Sequence, residues 1–501
     1  MLAALAALIC GFSLLRGIDP FDEGLILQAA DRIADGQLPY RDYLYPYGPG
    51  QPFLLAGLQE LFGPSLLVWR IVRLLVDVAV SLVVFEVVRR EAPMPIALLA
   101  WLTAATAMAQ PLSANPFPLA LLFALVAVAV ATSETASPRY AALAGLLTGA
   151  AAAWRLDFGA YAAAACIAAV VLRPGDRRGR LLAYAGTLGA AAVLVYLPFF
   201  AAAGPDDAWE DLVAKSLRER ESWTLPFPFS YDGSFGSLSE LKDVLDFYVP
   251  LILVVGTGVA AAIAVARGVR ERVPPWRWAG WVVLAIGFAQ YLLSRTDPFH
   301  ETPLRVALAV ALAMSTAWAL RLPAGRARLA TAGVTLALLV LIASAGTANR
   351  LSALFSPPDL EPVDLAIADG VDAEPIEARA LPQAIRRVQE LVPPGEPIHV
   401  VTRRSDLVRI GNPLFPYLAE RPTVLDSDFD LLTSADAQRD VVATLKEEQP
   451  LAVVRWNHPT TVRREDNLRG EPSGSRLLDE YLEREYDVDS RFGWYEILVP
   501  R

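Results

Sequence analysis

Cysteine and histidine are nearly missing from this 501-residue chain, which has two of the first and three of the second. Cys10 and Cys166 both lie inside apolar runs, so they supply neither a disulfide framework nor a metal-ligand spacing. Charge is also scarce, at 20% of residues against about 25% in an average soluble protein. Its net value of −10 argues against nucleic-acid binding, because no broad basic surface exists to displace phosphate counterions. There is no internal repeat, and no A-x-A cleavage site follows the first apolar run, which can itself start membrane insertion.

What remains is strongly apolar: 54% of residues are hydrophobic and the mean hydropathy is +0.38. They gather into runs of roughly 16 to 25, enough to cross a hydrocarbon core about 30 Å thick. Hydropathy windows place spans near 1–17, 65–88, 95–110, 116–133, 139–154, 156–172, 181–203, 247–266, 279–294, 303–320 and 327–346. The expected architecture is an α-helical polytopic membrane protein with about eleven transmembrane helices over residues 1–349 and an extracytoplasmic α/β domain over 350–501.

Arginine sets the expected orientation. One set of connections, from Arg89 and Arg90 through Arg173 and Arg180 to Arg326 and Arg328, is rich in arginine, while the opposite short loops hold Arg155 and Arg295. The positive-inside rule puts the arginine-rich face in the cytoplasm, with Arg16 a minor dissent. The stretch 18–64, "WRLDFG", the loop 204–246, "RTDPFHE" and the C-terminal tail then all share the outer face. That segregation points to one composite site.

The stretch "DPFDEGLILQAADRIADGQLPYRDYLYPYGPG", residues 19–50, carries acids, tyrosines and prolines where a plain loop would serve. From Gly24 to Asp35, apolar residues recur at helical spacing opposite Gln28, Asp31, Arg32 and Asp35, with Gly36 as the C-terminal cap. The pattern predicts an amphipathic helix lying in the membrane interface. Asp22 or Glu23 falls at its N-terminus, where the helix dipole favours an ionised carboxylate. The plain structural alternative is Asp22 as an N-cap. Tyr40, Tyr43, Tyr45 and Tyr47 equally fit an interfacial aromatic belt.

The acidic pair Asp22-Glu23 before Gly24, the following "GQLPYRD" and "YPYGPG", and the layout of many spans with an outer tail resemble the GT-C superfamily of membrane glycosyltransferases. The closest resemblance is to its branch of protein mannosyltransferases and bacterial lipid A aminoarabinose transferases. It implies a GT-C-like fold, a sugar donor on a polyprenyl phosphate, and a lipid, glycan or protein acceptor. It also implies Asp22 and Glu23 as catalytic residues. Asp22 would act as general base in an inverting transfer, taking the acceptor proton as that oxygen attacks the anomeric carbon. Such a base typically contributes about 10²–10⁴-fold.

A departing lipid phosphate gains negative charge, so cations must stand nearby. Arg70, Arg73 and Asp77 lie near the outer end of the second span, where ionisable residues point to function. An Arg73–Asp77 pair at i, i+4 would leave Arg70 the freer cation. Arg155 and Asp157 come from "WRLDFG", and Arg295, Asp297, His300 and Glu301 from "SRTDPFHE". Arg70, Arg155, Asp157, Arg295, Asp297 and His300 are therefore the expected contacts to donor phosphate or acceptor. Asp22, Glu23, Asp297, His300 and Glu301 could ligate a divalent metal, but no local spacing demands one, and no cofactor is assigned.

The loop 204–246 is expected to form a helix from Asp206 to Arg220, followed by "WTLPFPF" in the interface, and to close over a lipid donor. In the tail, alternating helices and strands predict a small α/β sheet with neither a phosphate loop nor a nucleophile constellation. Strands are expected at "PIHVVT", "RPTVLD", "LAVVRW" and "FGWYEILVP", and helices at "ALPQAIRRVQELV", "SADAQRDVVATLKEEQ" and "SGSRLLDEYLEREY". Richness in arginine and alanine fits a bacterial chain, hence a multi-pass protein of the plasma membrane surrounded by membrane lipids. A glycolipid transporter and a non-catalytic membrane scaffold are the competing readings. Transporters place charges near the midplane and often carry repeats, whereas here the charges cluster at the outer ends.

Overall fold

The computed structural model describes residues 1–109, 114–135, 137–218, 224, 248–256, 275–321, 324–355, 357–407, 411–427, 432–462 and 473–501. Apolar runs become helices. α1 (Leu2–Cys10) leads to α2 (Asp22–Ala34) and α3 (Gly50–Phe62) in the stretch 18–64. Then come α4 (Leu66–Arg89), α5 (Met94–Met108), α6 (Phe117–Ala131), α7 (Pro138–Trp154), α8 (Leu156–Leu172) and α9 (Arg177–Ala203). Short helices α10 (Pro205–Trp209) and α11 (Lys215–Arg218) precede α12 (Pro275–Ser294), α13 (Pro298–Arg321) and α14 (Arg326–Phe355). Residues 248–256 are helical and begin the expected span 247–266, whose remainder lies outside the described residues.

Among the described residues, three helices are long and apolar enough to cross a membrane: Arg177–Ala203, Pro298–Arg321 and Arg328–Phe355. Leu2–Ser13, Met94–Met108, Phe117–Ala131 and Leu156–Leu172 are apolar but shorter. α13 is enclosed by the other helices, whereas α9 and α14 expose apolar side chains such as Leu182, Leu194 and Leu329. Apolar faces of that extent mark a surface meant for lipid. α7 and α9 approach closely through two glycines one turn apart. A Cβ on Gly145 would lie 2.3 Å from the Tyr184 carbonyl oxygen, and one on Gly149 2.4 Å from the Ala191 Cβ. Small residues at that spacing bring helix backbones together in membranes. The break between α7 and α8 falls where "WRLDFG" predicts it, with Arg155 extended at φ −146° and ψ 120°.

The C-terminal region contains β1 (Glu361–Pro362), β2 (Asp372–Ala373), α15 (Pro375–Leu391), β3 (His399–Thr402), α16 (Leu414–Ala419) and α17 (Ala435–Glu448). β4 (Val453–Trp456), α18 (Leu477–Glu485), β5 (Tyr486–Phe492) and β6 (Tyr495–Pro500) complete it. The main sheet has the order β3-β4-β6-β5, parallel between β3 and β4 and antiparallel elsewhere. α17 starts at the expected cap, the Ser434 hydroxyl accepting from the Ala437 N–H.

Four expectations need correction. "RPTVLD" is no strand; it makes a single bridge, Thr423 to Ile398. Pro422 has no N–H, and the Leu425 carbonyl and Thr423 hydroxyl accept from Arg32. The last helix stops at Glu485, because "YDVDSRF" pairs with β6 as an edge strand of a hairpin that turns at Gly493, φ +50°. Helix α2 does not lie open in an interface: Gln28 on its polar face is buried, and α16 packs against it. Tyr40, Tyr43 and Tyr45 are buried in the core that the stretch 18–64 shares with the C-terminal region, so they form no exposed belt.

Candidate active site

α2 begins after a local turn. The Asp19 carboxylate accepts from the N–H groups of Phe21 and Asp22, both at 3.2 Å, and Asp22 is the first residue of the helix, so the alternative of Asp22 as N-cap does not hold. That leaves the Asp22 side chain to face a cavity of about 450 Å³. Burial pushes the Asp22 carboxyl above its ordinary range. Asp297 adds to the effect, while His300, Arg295 and Arg155 oppose it.

Its neighbour goes elsewhere. Glu23 accepts from Arg70 Nε and Nη2 and from Trp69 Nε1, each at 2.8 Å, and from the Asp19 N–H at 3.3 Å. Arg70 also donates to the carbonyl oxygens of Leu14 and Gly17. Both side chains are essentially unexposed, and neither lines the cavity. Glu23 and Arg70 therefore form a buried tie between α2 and α4. Arg70 is not the freer cation of its helix: Arg73 pairs with Asp77 at 2.8 Å, and Arg70 is held more deeply still.

The other six expected residues do meet. Asp22, Arg155, Asp157, Arg295, Asp297 and His300 all line the one cavity, brought there by α2, the α7–α8 break and the α12–α13 connection. Arg155 is held in both rotation and depth. Asp157 accepts from its Nε at 3.0 Å and its Nη2 at 2.8 Å, and the guanidinium lies 4.9 Å from the Tyr47 ring and 4.8 Å from the Tyr291 ring. Asp297 links the other cations: it pairs with Arg295 at 3.1 Å, and its Oδ1 meets both His300 Nδ1 and the His300 N–H at 2.8 Å. Burial raises the Asp297 carboxyl, but His300 and Arg295 outweigh burial and hold it below the ordinary range.

Tyr47, expected only as part of an aromatic belt, also lines the cavity, as do Asn115 and Lys215, to which the sequence assigned no role. Lys215 follows a π-helical turn, Glu210–Ala214, that interrupts the expected helix from Asp206. Such turns often occur at functional sites. A signal existed for Lys215, one of only three lysines in an arginine-rich chain. Ser216 and Thr224 also reach the cavity, whereas the rest of "WTLPFPF" lies outside the described residues. Among the described residues no group of three or more His, Cys, Asp or Glu side chains could hold a metal ion. Of the five ligands considered, Glu23 is closed on Arg70 and Glu301 pairs with Arg305 at 2.6 Å.

No protein-family model and no curated protein matches the chain. Solved structures do. The chain is similar to ArnT from Cupriavidus metallidurans bound to undecaprenyl phosphate, with a TM-score of 0.54 and 14% identity over 99% of this chain and 97% of that one. It is also similar to the oligosaccharyltransferase AglB from Archaeoglobus fulgidus in complex with an inhibitory peptide and a dolichol-phosphate. There the TM-score is 0.55 at 12% identity, covering 99% of this chain and 73% of that one. The mycobacterial arabinofuranosyltransferase AftD gives 0.53 at 14%, over 99% and 41%. These likenesses show the fold alone, the GT-C architecture that the sequence around Asp22-Glu23 resembles.

Proposed function

We propose that the chain is a membrane glycosyltransferase that moves a sugar from a polyprenyl-phosphate donor to an acceptor hydroxyl, with inversion, at the outer face of a bacterial plasma membrane. One observation carries the reading: a single cavity gathers a buried-edge carboxylate, Asp22, with Arg155, Arg295, His300 and Lys215 from separate segments. The fold supports it, since the similar solved structures include enzymes of this class with polyprenyl or dolichol phosphate bound. In this reading residues 1–349 cross the membrane about eleven times, and residues 350–501 pack outside as a second domain.

The chemistry divides between the two charges. Asp22 accepts the acceptor's proton as the hydroxyl oxygen bonds to the anomeric carbon, and the bond from that carbon to the phosphate oxygen breaks. A base works best with its pKa near the working pH, and the upward displacement of Asp22 moves it that way. The leaving polyprenyl phosphate keeps the electron pair, and Arg155, Arg295 and Lys215 stabilise its growing charge. Asp157 and Asp297 hold the arginines in place. Glu23 and Arg70 fix the turn from which Asp22 projects.

The test is transfer by the purified full chain, with polyprenyl-phosphate sugars as donors and product read by mass spectrometry. Asp22→Asn should abolish transfer while polyprenyl phosphate still binds. Unchanged transfer by that variant would remove Asp22 from the mechanism, and absence of bound polyprenyl-phosphate species would remove the donor.

A further inference from the structure

α8, α12 and α13 run from the cavity to the arginine-rich end of the helices, where the balance of charge is different. Arg173 follows α8, and Arg180 sits in the first turn of α9; they are 7% and 4% exposed. Neither meets a carboxylate among the described residues. Arg173 donates to the Glu134 carbonyl oxygen, and Arg180 to the carbonyl oxygens of Arg173 and Pro174 at 2.8 and 3.1 Å. Beside them, Arg277 on α12 pairs with Glu91 and with Glu134, the latter at 2.9 Å, and Arg321 shares Glu91 at 3.3 Å. Asp176 is turned to the α9 cap, accepting from the Gly179 N–H at 2.9 Å. Even with Asp176 included, four guanidinium groups meet three carboxylates among the described residues.

The donors are also in surplus. Arg180 Nε, Arg277 Nε and Trp276 Nε1 are buried and have no hydrogen-bond partner among the described residues. Arg173 lies beside these residues, its guanidinium 5.4 Å from the Trp276 ring and within reach of the charges of Arg180 and Arg277. Burial, followed by the like charges of Arg180 and Arg277, disfavours the ionised form of Arg173. Buried cations with no carboxylate partner, such as Arg173 and Arg180, are strongly unfavourable, and unmatched donors add to that. A tetrahedral oxyanion supplies what is missing, accepting several N–H groups at once and suiting the planar guanidinium fork. Leu172 and Leu182 flank the cluster and are 48% and 65% exposed, which offers an apolar path beside it.

We propose that Arg173, Arg180, Trp276 and Arg277 form a binding site for a phosphate-bearing anion, occupied as the headgroup of an anionic phospholipid. It lies about 25 Å from the cavity by the length of the 17-residue α8. The inference does not depend on the sugar-transfer reading, since none of its residues lines that cavity.

The experiment uses the full chain stripped in neutral detergent, with thermal unfolding and native mass spectrometry as readouts. Phosphatidylglycerol should raise the melting temperature by several degrees and leave one retained lipid adduct, while phosphatidylcholine should do neither. R180Q should weaken phosphatidylglycerol retention at least tenfold, whereas R177Q/R178Q, altering two exposed arginines of the same helical turn, should keep it. W276F, which removes a single donor, should weaken retention severalfold and keeps the test open if R180Q does not fold. Equal effects of the two lipids, or equal loss in R177Q/R178Q, would overturn the site. A full shift with inorganic phosphate alone would overturn its assignment to lipid.

Discussion

Asp22 and Glu23 are adjacent and carry the same charge, yet neutralising them should have opposite consequences. Glu23→Gln would leave Arg70 buried with no carboxylate, its charge met only by neutral oxygens: the amide oxygen of the new side chain and the carbonyls of Leu14, at 3.2 Å, and Gly17, at 3.0 Å. Removing one partner of a buried ion pair costs about 3–5 kcal/mol, because the other stays uncompensated. Asp22 is the reverse case. Its carboxyl is displaced upward, so the ionised form weakens the fold at any pH above the folded pKa, by about 1.4 kcal/mol per pH unit of displacement. As pH falls through the folded value toward the unfolded one, that penalty disappears. Asp22→Asn should therefore melt no lower than the parent near neutral pH, with any gain fading in acid. Thermal unfolding of the solubilised chain across pH 5–8, at one scan rate, measures both variants, with sugar transfer assayed in parallel. Glu23→Gln should melt several degrees lower, with transfer falling in step with the folded fraction. Asp22→Asn should lose transfer alone. A stable Glu23→Gln or a markedly unstable Asp22→Asn would refute the division of labour.

The same displacement predicts an acid limb in kcat/KM above the ordinary aspartate range. Activity should be lost as pH falls through the raised Asp22 pKa, and a pH–rate profile checks this. Arg155→Lys keeps the charge but not the bidentate contact with Asp157 or the stacking on two tyrosines, so kcat/KM for the lipid-phosphate donor should fall about tenfold or more. Gly24→Ala would set a Cβ 2.1 Å from the Leu414 nitrogen, a backbone contact that cannot yield cheaply. Its cost should be about 1–3 kcal/mol, with lower melting and lower transfer together.

The helices were legible because a hydrocarbon core imposes a length and a composition that few other environments demand. Six cavity residues were legible for a related reason. Ionisable groups at the ends of apolar helices are costly when alone, and those at the break after Trp154 and the turn after Ser294 could be expected to meet. The roles of Asp22 and Glu23 were not legible. Successive residues on a helix point about 100° apart, and only Arg70, 47 positions away, decides which of the two is tied down. Distance along the chain also hid the fate of α2. Its polar face reads as wet until Leu414, Thr423 and Leu425 arrive to cover it. β5 escaped because "DVDSRF" carries charge at an edge, where pairing on one side is enough.

The contacts around α2 also say what the C-terminal region does mechanically. Ahead of Asp22, the Gly17 N–H donates to the Asp372 carbonyl oxygen at 2.7 Å, and the Asp372 N–H donates to Leu15 at 2.8 Å. Just before it, the Pro20 carbonyl accepts from the Leu414 N–H at 3.1 Å. Behind it, Arg32 donates to the Leu425 carbonyl at 2.5 Å, and the Leu44 N–H to that of Asp426 at 2.9 Å. The stretch bearing the acid is thus gripped on both sides by residues more than 350 positions later, and the two share one hydrophobic core. A loop fixed only at its membrane end would scatter the carboxylate over several ångströms, and a misplacement of 1 Å can cost about 10²-fold in rate. The C-terminal region is therefore part of the scaffold that positions Asp22.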